Sequence, residues 1–197
     1  MAQPPSVTMA DIYRFLALSM QYPDASWLDG GYFSLLRTIL GELDRCGDSL
    51  EIDRSFTENR DWLESLQVEH TRLFLNGVPQ VAAPPYGSVY LDPEGLLYGP
   101  SAMRVKEFYR KRNLAPAGEG DIPDHLCLEL EFLALLAEQG KSGDEELFLK
   151  EHFRPWFPLF QARVLHECRH PFYRVLVQLI DFFTREELNN GFESDQA

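Results

Sequence analysis

Residues 121–140 read DIPDHLCLELEFLALLAEQG. Asp121 and Pro123 mark the start of a helix, and Gly140 marks its end. From Leu126 to Ala137 the stretch is apolar on nearly all sides, the pattern of a helix buried at the centre of a bundle. Glu129 and Glu131 interrupt it. Buried carboxylates are costly unless paired, so these two either snorkel to an edge or face a cleft that receives cations. Asp124 and His125 fall in the first turn, where the negative charge of Asp124 suits the helix N-terminus. His125 lies four residues before Glu129, so the two can share a face. A His–Glu pair is compatible with acid–base chemistry. No nucleophile, metal cluster or phosphate-binding glycine motif accompanies it, and GEGD at residues 118–121 is too short and acidic for a phosphate loop.

Outward from this helix, most of the chain repeats apolar residues at helical spacing. Asp11 to Met20 carries Ile12, Phe15, Leu16 and Ser19 on one face and ends before YPD. A second helix is predicted over about Tyr32–Arg45, stopping at Gly47. Thr57 fits the N-cap of a third, with Trp62, Leu66, Leu73 and Phe74 inside it. After a long loop, helical pattern resumes at Ser101 through MRVKEFYRKR. Two further helices, about Asp144–Glu167 with a break near Pro155–Pro158 and about Pro171–Asn190, close the chain. There is no β-alternation long enough for a sheet, and no repeat or low-complexity linker. The expected fold is all-α: a single-domain helical bundle over residues 1–197 with one long, ordered, proline-rich loop.

That loop, Asn76–Pro100, holds five prolines and four glycines in 25 residues, a density no helix is expected to survive. It also carries Tyr86, Val89, Tyr90, Leu91, Leu96, Leu97 and Tyr98. Apolar side chains on a proline-stiffened segment form either a packed core loop or one wall of an apolar groove. Gly87 and Gly99 would allow tight turns or the close approach of a ligand backbone.

Composition narrows the function classes. The 197 residues are 45% hydrophobic and 13% aromatic, a globular composition. Net charge is −13, which argues against nucleic acid and against an anionic membrane surface, and suits a cationic peptide. Cys46, Cys127 and Cys168 are odd in number and widely spaced, as in a reducing cytosol without a disulfide framework. The N-terminal residues lack a secretory signal, and the apolar runs are too short to span a bilayer. A cytoplasmic location without stable membrane insertion follows as the expectation.

HECRH at residues 166–170 spells the HExxH pattern, in which His166 and His170 would hold zinc and Glu167 would activate water. Pro171 directly follows His170 and pushes it out of the α region, so the shared helical face is lost. A third ligand is also missing, since nothing else marks Glu186 or Glu187 as one. The two histidines read better as interhelical surface or packing residues than as the centre of a zinc peptidase.

Five stretches together are more specific. RLF (72–74), PPYGSVYLDPEGLLYGPS (84–101), PDHLCLELEFLALLAE (123–138), HFRPWF (152–157) and HPFYRVL (170–176) resemble the TorD/DmsD/NarJ family, with the DmsD branch nearest in pattern. The resemblance covers roughly residues 58–183. It implies an all-helical, non-enzymatic, cytoplasmic chaperone. Such a chaperone binds the twin-arginine signal peptide of a molybdoenzyme catalytic subunit of dimethyl-sulfoxide-reductase type. It holds the precursor until cofactor insertion is complete, before Tat export. Tat translocase or cofactor-insertion proteins are the further partners implied; no cofactor is, beyond a weak affinity for guanine nucleotides proposed within the family. A purely structural assembly subunit is the alternative without leader binding. The matching signal-peptide residues are Leu73, Phe74, Tyr86, Gly87, Ser88, Tyr90, Gly99, Asp124 and His125. In a groove between the loop and the Pro123 helix start, Leu73, Phe74, Tyr86 and Tyr90 would take the apolar part of the leader. Asp124, joined by Glu129, would accept its guanidinium groups, and His125 would orient the acid.

Overall fold

Ten α-helices and no strand occur among the residues described by the computed structural model, 7–78, 80–114 and 120–185. They are α1 (Met9–Ser19), α2 (Gly30–Glu42), α3 (Cys46–Thr57), α4 (Trp62–His70), α5 (Gly87–Leu91), α6 (Pro100–Lys111), α7 (Leu126–Glu138), α8 (Ser142–Phe148), α9 (Phe157–Glu167) and α10 (Pro171–Phe183). Two of them widen at the end into a π turn: Thr71–Leu75 continues α4 and Leu149–Phe153 continues α8. The turns close on Asn76 N–H to Thr71 O and Arg154 N–H to Leu149 O, each 2.8 Å.

The chain folds into two compact units. The first comprises Met1–Gln21, Pro85–Gln161 and Leu179–Ala197; the second comprises Tyr22–Pro84 and Ala162–Gln178. In the first, α7 is the core helix, with α1 and α8 packed along it. Phe108, Tyr109, Phe132 and Phe148 form its aromatic centre, with Tyr109 and Phe132 rings 4.3 Å apart. Tyr13, buried on α1, donates to Glu145 at 2.8 Å and ties α1 to α8. The second unit packs α2 on α3 and α3 on α4 around Phe33, Phe56, Trp62 and Phe172.

Several boundaries depart from the sequence expectation. Thr57 ends α3, a helix the periodicity did not predict, and Asp61 instead precedes α4. Met9 opens α1, two residues early, because Thr8 and Asp11 form a reciprocal capping box. The proline-rich loop does contain a short helix, α5, despite its proline density. The break foreseen near Pro155–Pro158 falls between the π turn of α8 and the start of α9. The expected end of the last helix at Asn190 lies outside the described residues, as do Glu186 and Glu187.

Candidate functional site

In the first unit the proline-rich loop is fastened to the start of α7 by an isolated antiparallel bridge, Tyr86 to His125. Gly87 N–H donates to Asp124 O at 3.0 Å, and Leu126 N–H donates to Pro85 O at 2.9 Å. The Tyr86 and His125 rings meet edge to face, 4.8 Å between centroids. Asp124 stands before the helix rather than in its first turn. Its Oδ2 accepts the Ser88 N–H, so it caps α5 from 36 residues away. The cap of α7 itself is His125, whose Nδ1 accepts Cys127 N–H at 3.2 Å. The unprotonated Nδ1 is therefore fixed by the helix. Tyr109 donates to Pro123 O at 3.0 Å and holds the same junction from α6.

The side-chain partner of Glu129 is Trp156. It is fully buried, and its Oε2 accepts the Trp156 indole N–H at 3.0 Å. Burial first, and then the charge of Asp124, push its carboxyl well above the ordinary glutamate range, so the neutral acid is favoured. Trp156 stacks on Tyr90 at 5.9 Å. A Cβ at Gly87 would come within 3.1 Å of the Trp156 ring. The loop is thus seated twice, by Asp124 at its helix and by the Glu129–Trp156 pair at Gly87 and Tyr90.

These contacts revise the roles expected of several residues. Gly87 and Gly99 have ordinary φ; Gly87 makes room for Trp156 and Gly99 for Asp92, whose carboxylate would clash with a Cβ. Asp92 uses that proximity to accept from Ser101 N–H and hydroxyl, capping α6. Glu129 is fully buried with one oxygen on Trp156, and burial pushes its carboxyl up, which disfavours the charged form that a guanidinium would need. Leu73 and Phe74 are buried in the second unit, Leu73 O accepting Ala83 N–H at 2.8 Å and Phe74 packing on His70 and Tyr173. No apolar surface is left on them for a leader. Ser88 is also buried, whereas Tyr86, Tyr90, Gly99 and His125 are half-exposed.

Asp124 is 1% exposed. Among the described residues its Oδ1 has no hydrogen-bond partner, and the same holds for Ser88 Oγ and Glu129 Oε1. Burial pushes the Asp124 carboxyl up, while the Ser88 bonds pull it down. Buried polar oxygens without a partner are uncommon in folded proteins.

The HECRH segment behaves otherwise. His166 ends near the last turn of α9 and is exposed, with Nδ1 beside Glu167 at 3.0 Å. His170 stands outside that helix and caps α10, accepting Phe172 N–H at 3.2 Å. No group of three His, Cys, Asp or Glu side chains among the described residues can hold a metal ion. No described helix is long and apolar enough to cross a membrane. An open pocket of about 490 Å³ in the second unit lies between Tyr22, Gln67, Thr71, Arg72 and Asn76, none of them foreseen as site residues.

Known proteins are similar to this chain. The chain is 36% identical over 117 residues to the Tat proofreading chaperone DmsD of Salmonella typhi, covering 59% of this chain and 57% of that one. It is 31% identical over 121 residues to the chaperone protein TorD of Aliivibrio fischeri, covering 55% and 56%. The chain thus spans little more than half the length of these curated relatives in the matched region. A crystal structure of a candidate redox enzyme maturation protein from Archaeoglobus fulgidus superposes with a TM-score of 0.64 at 28% identity, covering 94% of this chain and 98% of that one. The family described as nitrate reductase delta subunit matches residues 37–162, well over half of the chain, and the protein belongs to that family, which is the TorD/DmsD/NarJ family its loop and PDH helix start resemble.

Proposed function

We propose that this chain is a cytoplasmic chaperone that binds the twin-arginine leader of a molybdoenzyme catalytic subunit of dimethyl-sulfoxide-reductase type. It holds the precursor until cofactor insertion is complete, before Tat export. The observation that carries the reading is Asp124: a buried carboxylate with one oxygen tied to the Ser88 N–H and the other without a partner among the described residues. It stands at the joint between the PPYGSVY loop and the PDH helix start. Glu129, favoured as the neutral acid, leaves Asp124 as the charge at this joint that can answer a guanidinium. The half-exposed Tyr86 and His125 rings meet at this joint, and the half-exposed Tyr90, stacked on Trp156, offers apolar surface to the leader. A charge-assisted bond in a poorly solvated site is strong, and its loss costs a few kcal/mol.

Titration calorimetry with a synthetic twin-arginine leader tests this. Asp124→Asn keeps an oxygen for Ser88 and removes the charge. It should weaken binding at least tenfold, about 1.4 kcal/mol or more, with a native circular dichroism spectrum. Affinity should also fall on acidification from a higher pH than an ordinary aspartate would give, because burial raises the Asp124 pKa. Unchanged affinity in the variant removes Asp124 from the site.

A further inference from the structure

The chain carries 18 basic residues against 31 acidic ones, yet Arg104, Lys106, Arg110, Lys111 and Arg112 fall within nine positions of α6 and its end. Arg112 turns inward, paired with Asp144 at 2.6 Å and stacked on Phe108. The other four point to solvent, and they share that face with Met103 and Glu107. Glu107 is the one acid of α6 itself, held in a two-point pair by Arg110 at 2.7 Å. The solvent face of α6 is therefore net positive on a molecule of net charge −13.

Apolar surface adjoins it. Leu96, Leu97 and Tyr98 form the tip of the loop leading into α6 and are 62%, 49% and 43% exposed; Met103 on α6 is 47% exposed. Tyr98 holds a left-handed backbone, φ 63°, which a bulky residue rarely adopts, and Gly95 just before the tip has φ 60°. Lys106 Nζ donates to the Tyr98 hydroxyl at 3.1 Å, joining the tip to the basic face. An apolar tip kept outward on a disfavoured backbone and joined through Lys106 to a cationic helix face has the make-up of a binding surface rather than a solvated edge.

We propose that the Leu96–Tyr98 tip and the outer face of α6 form a docking surface for an acidic protein segment that carries apolar residues, separate from the leader site at Asp124. Apolar side chains of the segment cover Leu96, Leu97 and Met103, and its carboxylates pair with Arg104, Lys106 and Lys111. A protein segment fits better than an anionic bilayer. A short segment meets only this face, within a screening length of about 8 Å. A bilayer would meet the negative field of the whole molecule.

The probe is a fluorescein-labelled amphipathic peptide with leucine at helical spacing and glutamate elsewhere, titrated by anisotropy against the full chain. A control peptide has lysine in place of each glutamate. The glutamate peptide should bind saturably and lose affinity with added salt. Arg104→Glu with Lys106→Glu, and separately Leu96→Ser with Leu97→Ser, should each weaken it at least tenfold. Both double variants should keep wild-type affinity for the leader peptide, which separates this surface from the Asp124 site. The proposal is overturned by absence of saturable binding or by equal binding of the charge-reversed variant. It is equally overturned if vesicles of anionic phospholipid, or a second copy of the chain in sedimentation, take this face instead of the peptide.

Discussion

His125 and His170 do the same backbone work in the two units. Each uses Nδ1 to accept an N–H two residues on, at 3.2 Å, and each thereby starts a helix. Their surroundings differ. Beside His170 stand Phe56 and Phe172, and burial pushes its imidazole pKa down. Beside His125 stand Tyr86, the backbone bridge to the loop and Asp124 with its open oxygen. HECRH looks like chemistry and is a helix end followed by a cap; PDH looks like a cap and borders unsatisfied buried polar atoms. A histidine's motif says little about its role until the satisfaction of its neighbours is known.

The largest test of that contrast is Trp156→Ala. It removes a fully buried indole and strands the Glu129 carboxyl, so it should cost about 3–5 kcal/mol in denaturant unfolding. It should also abolish leader binding, because Gly87 and Tyr90 lose their seat. Leader affinity that survives in the folded fraction would mean the loop is held by Asp124 alone.

Glu129→Gln comes next. Burial raises the Glu129 pKa, so the folded chain holds this proton to higher pH than the unfolded chain, which releases it near the ordinary glutamate pKa of about 4.3. Stability from this group is full below that pH and falls as pH rises toward the raised folded value. Glutamine keeps the shape and an acceptor for Trp156 without the titration. Thermal melts should therefore coincide near about pH 4 and separate above it. The variant should gain up to about 1.4 kcal/mol per pH unit crossed. Parallel curves from acid to neutral pH would show that Glu129 is ionised in the fold.

Smallest in stability and sharpest in meaning is the pair His125→Ala and His170→Ala. Each loses a helix cap worth about 1 kcal/mol. Only His125→Ala should also weaken the leader, by several-fold in the same calorimetry. Equal losses of leader affinity would erase the distinction between the two regions.

The sequence made α7 legible because its apolar run is long and is bounded by Pro123 and Gly140, which takes φ 63°. It hid α3, where only Ile52 is buried, so no stripe of apolar residues announces the helix. It hid α5 because its cap comes from Asp124, 36 residues on. The residues of the loop and PDH start were readable as a motif, and the structure does bring Tyr86, Gly87 and Ser88 against Asp124 and His125. Their partition into outer and inner roles was not, because it depends on burial. The Glu129–Trp156 bond, 27 residues apart, was equally out of reach, although the interrupted apolar face of α7 and the tryptophan in HFRPWF were the signals that could have suggested it.

Hydrogen exchange read by mass spectrometry, with and without a synthetic twin-arginine leader, tests the central claim most directly. The leader should slow exchange in segments 84–91 and 123–129, where the Gly87, Ser88 and Leu126 amides bind across the joint, and leave 166–172 unchanged. Protection confined to 166–172, or spread evenly with none at 84–91, would contradict a leader site at the Asp124 junction.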